Sequence, residues 1–498
     1  MKKALKRLFR PRDLTEGKVL PSLLRFLIPI LLLLFADRLF NYLNLAGIGA
    51  QLSSVEVASI YAGGTCLAFF SNFAAGSLAG YSVLGAKAAG KKDEGEIRHA
   101  FAIEIVLTLG LGALTILVGF LLTPIVLNYI HIAPSESDPM MQREFELCRL
   151  YIYLYLSGLL ISLFASLITT FLRSLGDSTG PFVLGILTDI ECTGLIYLFL
   201  YVTDWGIVGV IAATLSAQLT NAAISLIYFF RKYPHLRFRK SDWKISGSQL
   251  WQALCLGAPL GLNFAILQIG VISKTSVVVL FDLDPSRKII SGIPAQTGYN
   301  VASSFSDVVN SEFATLGTAI LSFTGQNYGA KRPERIREGF RSALLLGGIV
   351  WIVLGSALFL LSINGTYQHF YLANDKITPE SIRYGNLYLY TTLPFAFLLL
   401  LLYASRNTLQ GMEKPLFPFL SGIGELTARV LVSNYLPLAI NGGPIDSAAS
   451  SWAFVGLSSC DIFSWASACL LMVPPLLYVF HQMKKKEVPD HARLARKP

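Results

Sequence analysis

The sequence predicts an all-α polytopic membrane protein with twelve transmembrane helices in two pseudo-symmetric six-helix bundles. Three observations support this prediction. Of the 498 residues, 53% are hydrophobic but only 14% are charged, whereas a soluble domain is about a quarter charged. The apolar residues form blocks of about 20 to 30, enough for a helix to cross about 30 Å of hydrocarbon. The basic residues lie mainly in the short connections between these blocks.

The apolar blocks define twelve spans separated by short polar connections. In chain order they cover residues 20–45, 56–84, 100–130, 147–172, 180–203, 206–230, 249–281, 298–325, 340–370, 384–409, 416–439 and 453–481. If both termini face the cytoplasm, 31 of the 41 Lys and Arg residues lie on the inside, and six lie outside. This bias predicts the orientation, because cytoplasmic loops of membrane proteins are enriched in Lys and Arg. The net charge of +10 therefore indicates membrane orientation and not nucleic-acid binding.

A basic stretch divides the chain near its middle, and each half contains an internal repeat. The predicted division is a cytoplasmic N-terminus at 1–19, a six-helix bundle at 20–230, a cytoplasmic linker at 231–248, a second six-helix bundle at 249–481 and a basic cytoplasmic tail at 482–498. The repeat aligns AAGKKDEGEIRHAF (88–101) with NYGAKRPERIREGF (327–340), and LRSLGDSTGP (172–181) with LQGMEKPLFP (409–418). Both pairs are cytoplasmic, so we expect two repeats of the same orientation, related by an axis along the membrane normal.

These repeated loops and several apolar stretches resemble the multidrug and toxic compound extrusion (MATE) family, in its prokaryotic branch. The stretches that carry the resemblance are 14–33, 81–101, 172–182, 206–218, 322–340 and 409–432. They follow the family order along nearly the whole chain. The GQNYGAK (325–331) and LRSLGDS (172–178) stretches are the most specific of them.

The resemblance implies a V-shaped transporter with a central cavity between the two bundles. It implies a secondary active exporter of small organic molecules, exchanging substrate for H⁺ or Na⁺ as the bundles rock. We therefore expect a monomer in a bacterial inner membrane, without catalytic activity, cofactor or nucleic-acid partner. The six cysteines form no CxxC pair, so no metal site is predicted. No Walker sequence is present, so ATP is not the expected direct energy source.

The chain departs from the family pattern at the ion-coupling site. In the prokaryotic branch, acids in the first and fifth spans couple transport to the ion, but the matching positions here are Asn44 and Ile196. Asp37 and Asp189 each lie seven residues earlier, on nearly the same helix face and about 10 Å nearer the cytoplasm. We hypothesise that these two acids form a shifted proton site, with Asn41 and Asn44 beside it. The alternative is that Asp37 pairs with Arg38 or another basic residue and that Asp189 lies near the cytoplasmic headgroups.

The second bundle has charges that are unusual inside membrane spans. Glu425 and Arg429 are four residues apart, so one helix face holds them as a structural ion pair. The candidates for lining a substrate cavity are Lys274, Asp307, Glu312, Gln268, Thr214, Gln218 and Asn263. Lys274, Asp307 and Glu312 suggest either an internal salt bridge or a cavity for a polar substrate, in which Lys274 would favour a carboxylate. The other family type uses a glutamate in the seventh span and an acid in the tenth. This chain offers Gln268 and Lys274 in the seventh span and no acid in the tenth.

Two other functions stay open at this stage. One is a flippase for a lipid-linked or polysaccharide precursor, as in the wider superfamily. The other is a membrane scaffold or an intramembrane enzyme. A scaffold needs no charges inside its spans, so the internal charges of this chain argue against a scaffold.

Overall fold

The computed structural model describes residues 13–129, 139–370, 372 and 377–494, and nearly all regular structure in these residues is helical. The helices are α1 (Val19–Gln51), α2 (Ser54–Lys91), α3 (Glu94–Tyr129), α4 (Pro139–Ser157), α5 (Leu159–Ser174), α6 (Thr179–Tyr201), α7 (Gly206–Lys232), α8 (Gly247–Leu280), α9 (Pro294–Gly329), α10 (Pro333–Ser362), α11 (Pro379–Thr392), α12 (Ala396–Gly411), α13 (Leu416–Asn441), α14 (Ser451–Ser458) and α15 (Cys460–Leu494).

The helices account for all twelve predicted spans. In the described residues, ten helical stretches are long and apolar enough to cross a membrane, and the bent pair α4–α5 makes an eleventh. The twelfth predicted span corresponds to α9. Its 36 residues give a length of about 54 Å, but it is less apolar than the other eleven stretches. The chain is therefore an all-α, multi-pass membrane protein.

Three of the spans are interrupted. α4 and α5 meet at a 47° bend at Gly158, where a Cβ atom would overlap the side chain of Leu215. A short 3₁₀ turn at Leu393–Phe395 separates α11 from α12. It contains Pro394, which has no N–H for a helical hydrogen bond. α14 and α15 are separated at Ser459, so the first turn of α15 lies inside its span.

Contacts between Cα atoms divide the chain into two compact units. Unit 1 comprises the described residues up to Ala265 together with Gly325–Lys331, and unit 2 comprises Ile266–Thr324 and the described residues from Arg332 onward. This division differs from the predicted boundary at 231–248, because the first half of α8 and the end of α9 pack with the N-terminal helices.

The sequence repeat is also a repeat of backbone geometry. Lys92 and Lys331, which the repeat aligns, both have left-handed backbone, with φ of 58° and 56°. Their amides donate 3.1 Å hydrogen bonds to the carbonyls of Ala89 and Tyr328, which are also aligned. The second repeated loop behaves in the same way: Asp177 N–H bonds Leu172 and Lys414 N–H bonds Leu409, each at 3.0 Å. Two equivalent turns therefore end equivalent helices in each half.

The ends of α2 and α9 meet through two aligned glycines in unit 1. A Cβ atom on Gly90 would overlap the backbone carbonyl of Gln326, and one on Gly329 would overlap that of Lys87. The repeat that aligns Gly90 with Gly329 also aligns Lys87 with Gln326, so the two contacts are equivalent. Backbone atoms cannot move aside as a side chain can, so both positions require glycine.

The GQNYGAK stretch also holds the start of the described chain. Leu14 is fully buried, and its N–H donates to Gln326 Oε1 at 3.1 Å while its carbonyl accepts from Asn327 at 3.2 Å. Lys92 pairs with Asp13 at 2.7 Å. Burial raises the pKa of Asp13, but hydrogen bonds from Lys92 and Thr15 outweigh it and hold that pKa below its usual value.

The predicted linker 231–248 is a folded element of unit 1. It forms two 3₁₀ turns, Pro234–Leu236 and Lys240–Trp243. Arg98, at the start of α3, pairs with Asp242 at 3.1 Å and donates to the carbonyl of His235 at 3.1 Å. The linker is thereby fixed against the repeated loop 88–101.

We expect Gly90→Ala to lower the stability of the purified protein by about 1 to 3 kcal/mol, because its Cβ atom meets backbone. Thermal unfolding in detergent measures the effect. The matched control is Gly64→Ala in the same helix, where no atom lies within 4 Å of the added Cβ. That control should be neutral or stabilising by up to about 1 kcal/mol. Equal behaviour of the two variants would refute the packing role.

Candidate functional site

In unit 1, α1 and α6 pack side by side and run in the same direction. The hydroxyl of Tyr197 donates to the carbonyl of Leu43 at 3.1 Å, and that of Tyr201 donates to the carbonyl of Gly47 at 3.2 Å. Both bonds join residues 154 apart, so the register between the two helices is constant over this turn.

The same parallel packing brings Asp37 of α1 near Asp189 of α6. Their side chains lie within hydrogen-bonding reach of each other. Asp37 is exposed and Asp189 is half-buried. The Oδ2 atom of Asp189 is buried and receives no hydrogen bond from a donor in the described part of the chain. The positive groups that act on Asp37 are Arg173, at the end of α5, and Arg38.

Two other residues of the predicted coupling region are placed differently. Asn44 is half-buried, and its Oδ1 atom has no donor among the described residues, whereas Asn41 is exposed. Glu191, two residues after Asp189, accepts a 2.8 Å hydrogen bond from Thr220 of α7. Glu191 is thus held apart from the acid pair by a partner of its own.

The predicted polar cavity residues are divided between the two units. Thr214 donates to the carbonyl of Val210 in its own helix at 2.9 Å. Gln218 and Gln268 are half-buried. Asn263 is 1% exposed and lies in unit 1, while Gln268 of the same helix lies in unit 2.

Unit 1 also contains a buried acid that sequence reasoning missed. Glu104 in α3 is fully buried. One of its carboxyl oxygens accepts from the N–H of Gly85 at 3.3 Å, and the other has no donor among the described residues. The only signal in the sequence is a single glutamate inside the third predicted span.

Unit 2 contains a continuous network of five buried charged side chains. Glu425 accepts from Arg406 at 2.9 Å and from Arg429 at 3.2 Å. Arg429 also lies 3.4 Å from Asp461, which accepts from Lys274 at 2.8 Å. All five side chains are at most 8% exposed. The Glu425–Arg429 pair thus forms at the predicted spacing, as one link of a longer chain that joins α8, α12, α13 and α15.

Lys274 is the end of this network and has a different partner from those that the sequence suggested. It bonds Asp461, and not Asp307 or Glu312. Asp307 is exposed and accepts from Asn310 at 3.2 Å. Glu312 is 4% exposed, and its Oε1 atom has no donor in the described residues. Because Lys274 is 5% exposed and compensated by Asp461, its charge is not free for a carboxylate substrate in this structure.

Arg406 is the member of the network that the sequence analysis did not single out. It falls within the predicted span 384–409, lies in α12 and is 1% exposed. It belongs to the polar run Ser405–Gln410. In the structure these polar groups are buried in the last turns of the helix, where packing against other helices replaces water.

Charges within the spans of a helical membrane protein are typically paired and are frequent on transport pathways, and both units of this multi-pass chain contain buried charged side chains. The family model MatE matches residues 25–190 and 291–436. The chain therefore belongs to the MATE family of transporters.

Individual relatives agree with this assignment. "Probable multidrug resistance protein YoeA" of Bacillus subtilis (strain 168) is 25% identical over 366 residues, covering 70% of this chain and 74% of its own. "Probable multidrug resistance protein YpnP" of the same organism is 25% identical over 330 residues, covering 65% and 68%.

Solved structures share the fold. A MATE transporter in the straight conformation has a TM-score of 0.79 at 17% identity, covering 95% of this chain and 98% of that chain. A MOP superfamily transporter from Pyrococcus furiosus, described by a reverse polarity of its binding pocket, has a TM-score of 0.77 at 16% identity, with the same coverage.

We expect Glu425→Ala to lower the stability by about 3 to 5 kcal/mol, because it removes the carboxylate that pairs with the buried guanidinium group of Arg406 and leaves Arg429 with Asp461 alone. Denaturant-induced unfolding in micelles measures the loss. Glu96→Ala is the control, since its pair with Lys91 is 38% to 47% exposed and contributes about 1 kcal/mol or less. Combining Glu425→Leu with Arg406→Met should recover part of the loss. Similar losses from Glu425→Ala and Glu96→Ala would contradict the assigned role of the network.

Proposed function

We propose that this protein is a secondary active exporter of small organic molecules, driven by exchange with H⁺. The family assignment and the names of the Bacillus subtilis relatives support efflux of several chemically different compounds. The observation that carries the choice of the proton is the contact between the Asp37 and Asp189 carboxyl groups.

Two carboxyl groups within hydrogen-bonding reach of each other do not both stay ionised, because like charges at this distance repel strongly. One proton held between them removes this repulsion and supplies the hydrogen that the contact needs. The pair then carries one negative charge, which the neighbouring Arg173 compensates. Na⁺ would have to enter beside that guanidinium group, so the same geometry disfavours a sodium ion.

Exchange follows from the two protonation states of this pair. The protonated pair is stable as it stands. Once the proton leaves, two carboxylates face each other with an excess negative charge, which attracts an organic cation or a returning proton. In this proposal, rocking of the two six-helix halves presents the pair to opposite sides of the membrane in turn, and the substrates are organic cations.

The proposed setting is a bacterial inner membrane, with a monomer whose two termini face the cytoplasm. The distribution of Lys and Arg residues supports this orientation. No cofactor takes part, because the transmembrane proton gradient supplies the free energy.

We expect Asp37→Asn and Asp189→Asn each to reduce transport driven by a pH gradient by about tenfold or more, because an amide cannot take up and release the proton. The assay is export of a fluorescent organic cation in vesicles, under imposed H⁺ and Na⁺ gradients and with an anionic metabolite as a second substrate. A Na⁺ gradient alone should drive no transport.

Glu191→Gln is the matched control, because Glu191 lies on the same helix but bonds Thr220. It should retain most of the pH-driven rate. Full activity of both Asp37→Asn and Asp189→Asn would refute the proton site. Transport of the anion in preference to the cation would refute the proposed substrate class.

Orientation is tested separately with reporter fusions. Alkaline phosphatase inserted between Gly442 and Gly443 should be active, because that turn follows α13 on the predicted outer side. The same enzyme fused after Arg239 in the linker or after Pro498 should be inactive, while a fluorescent protein at Pro498 should fold and fluoresce. The opposite pattern would reverse the proposed topology.

A further inference from the structure

The ammonium group of Lys274 is enclosed by side chains from three other helices of unit 2. Asp461 of α15 accepts a 2.8 Å bond from Nζ. Nζ also lies 5.1 Å from the ring centre of Tyr299 in α9 and 5.2 Å from that of Tyr388 in α11. The Tyr388 hydroxyl donates to the same Asp461 oxygen at 3.2 Å.

This set of groups has the chemistry that recognises ammonium ions. A carboxylate supplies the counter-charge and a directional acceptor, and aromatic faces within about 6 Å attract a cation through the ring quadrupole. The two rings stand edge to face, with centroids 5.1 Å apart and planes at 79°. The two rings and the Asp461 carboxylate therefore surround the ammonium group on three sides.

The site is held in place independently of its occupant. Asp461 also contacts Arg429 at 3.4 Å and belongs to the first turn of α15, where a helix N-terminus stabilises an acidic side chain. Without Lys274, the network would hold Arg406 and Arg429 against Glu425 and Asp461 and would be neutral. With Lys274 the five-residue network carries one net positive charge, and the two tyrosine faces stabilise the ammonium group.

We propose that Asp461, Tyr299 and Tyr388 form an ammonium-binding site in unit 2, and that the side chain of Lys274 is its permanent, covalently attached ligand. Shortening that side chain opens the site to a small primary alkylammonium ion. This inference rests on the proposed function for one consequence: a cation that cannot leave cannot be exchanged across the membrane, so the Lys274–Asp461 pair is not the exchange site.

The test uses the full-length purified protein and Lys274→Ala. The substitution removes three methylene groups and the ammonium, which together match n-propylammonium. Thermal unfolding is followed with propylammonium chloride and with sodium chloride at equal ionic strength. Binding to the folded state raises the unfolding midpoint, so we expect a saturable rise for Lys274→Ala with propylammonium, and a smaller rise with methylammonium.

Three controls separate the site from a general salt effect. Wild type has the site filled, Lys274→Met fills the space without charge, and Lys274→Ala with Asp461→Asn lacks the negative counter-charge. None of them should respond to propylammonium more than to sodium. An equal response in all variants, or an equal response of Lys274→Ala to sodium and propylammonium, would overturn the proposal.

The proposal can also be tested if Lys274→Ala fails to fold. If the variant is recovered only from membranes extracted with propylammonium, the site is supported. If Lys274→Met is recovered and Lys274→Ala is not recovered under either condition, the proposal is wrong. The Asp37 and Asp189 tests use an unchanged unit 2, so failure here leaves them standing.

Discussion

The structure depends on one electrostatic constraint: a charge inside a membrane span has to find its counter-charge within the protein, because lipid offers neither water nor ions to screen it. Unit 2 meets this constraint by linking Arg406, Glu425, Arg429, Asp461 and Lys274 through contacts of 2.8 to 3.4 Å. Such a network determines which helices are neighbours, because each ion pair forms only when the two helices that carry its residues are adjacent. The helices α8, α12, α13 and α15 are therefore held next to one another by their buried charges.

Contacts between residues close together in the sequence could be predicted, whereas contacts between distant residues mostly could not. Glu425 and Arg429 are neighbours by helical periodicity alone. Asp37 and Asp189 could be placed together because each is displaced by the same seven residues from a known family position. The partner of Lys274 lies 187 residues away, and no local pattern specifies it. Arg406 was not singled out, because buried polar groups at a helix end have the same composition as exposed ones.

The spans show the same division between local and tertiary information. Eleven of them follow from length and apolar character, which are properties of the segment itself. α9 carries Asp307 and Glu312 among many small polar residues, so its place in the fold is determined by its neighbours and by the repeat. The repeat was detectable because its turns combine left-handed backbone at Lys92 and Lys331 with close backbone contacts at Gly90 and Gly329, which restrict the residue types at aligned positions.

The paired glycine contact between the ends of α2 and α9 has the form of an isologous interface. Gly90 contacts Gln326, and its counterpart Gly329 contacts Lys87, the counterpart of Gln326. In a symmetric dimer, a single self-complementary patch makes this same pair of contacts twice. A six-helix chain carrying one copy of the patch could associate with itself through it, and joining two copies in one gene would convert that association into an intramolecular one. The contact is thus what a half-length ancestor would need to assemble as a homodimer.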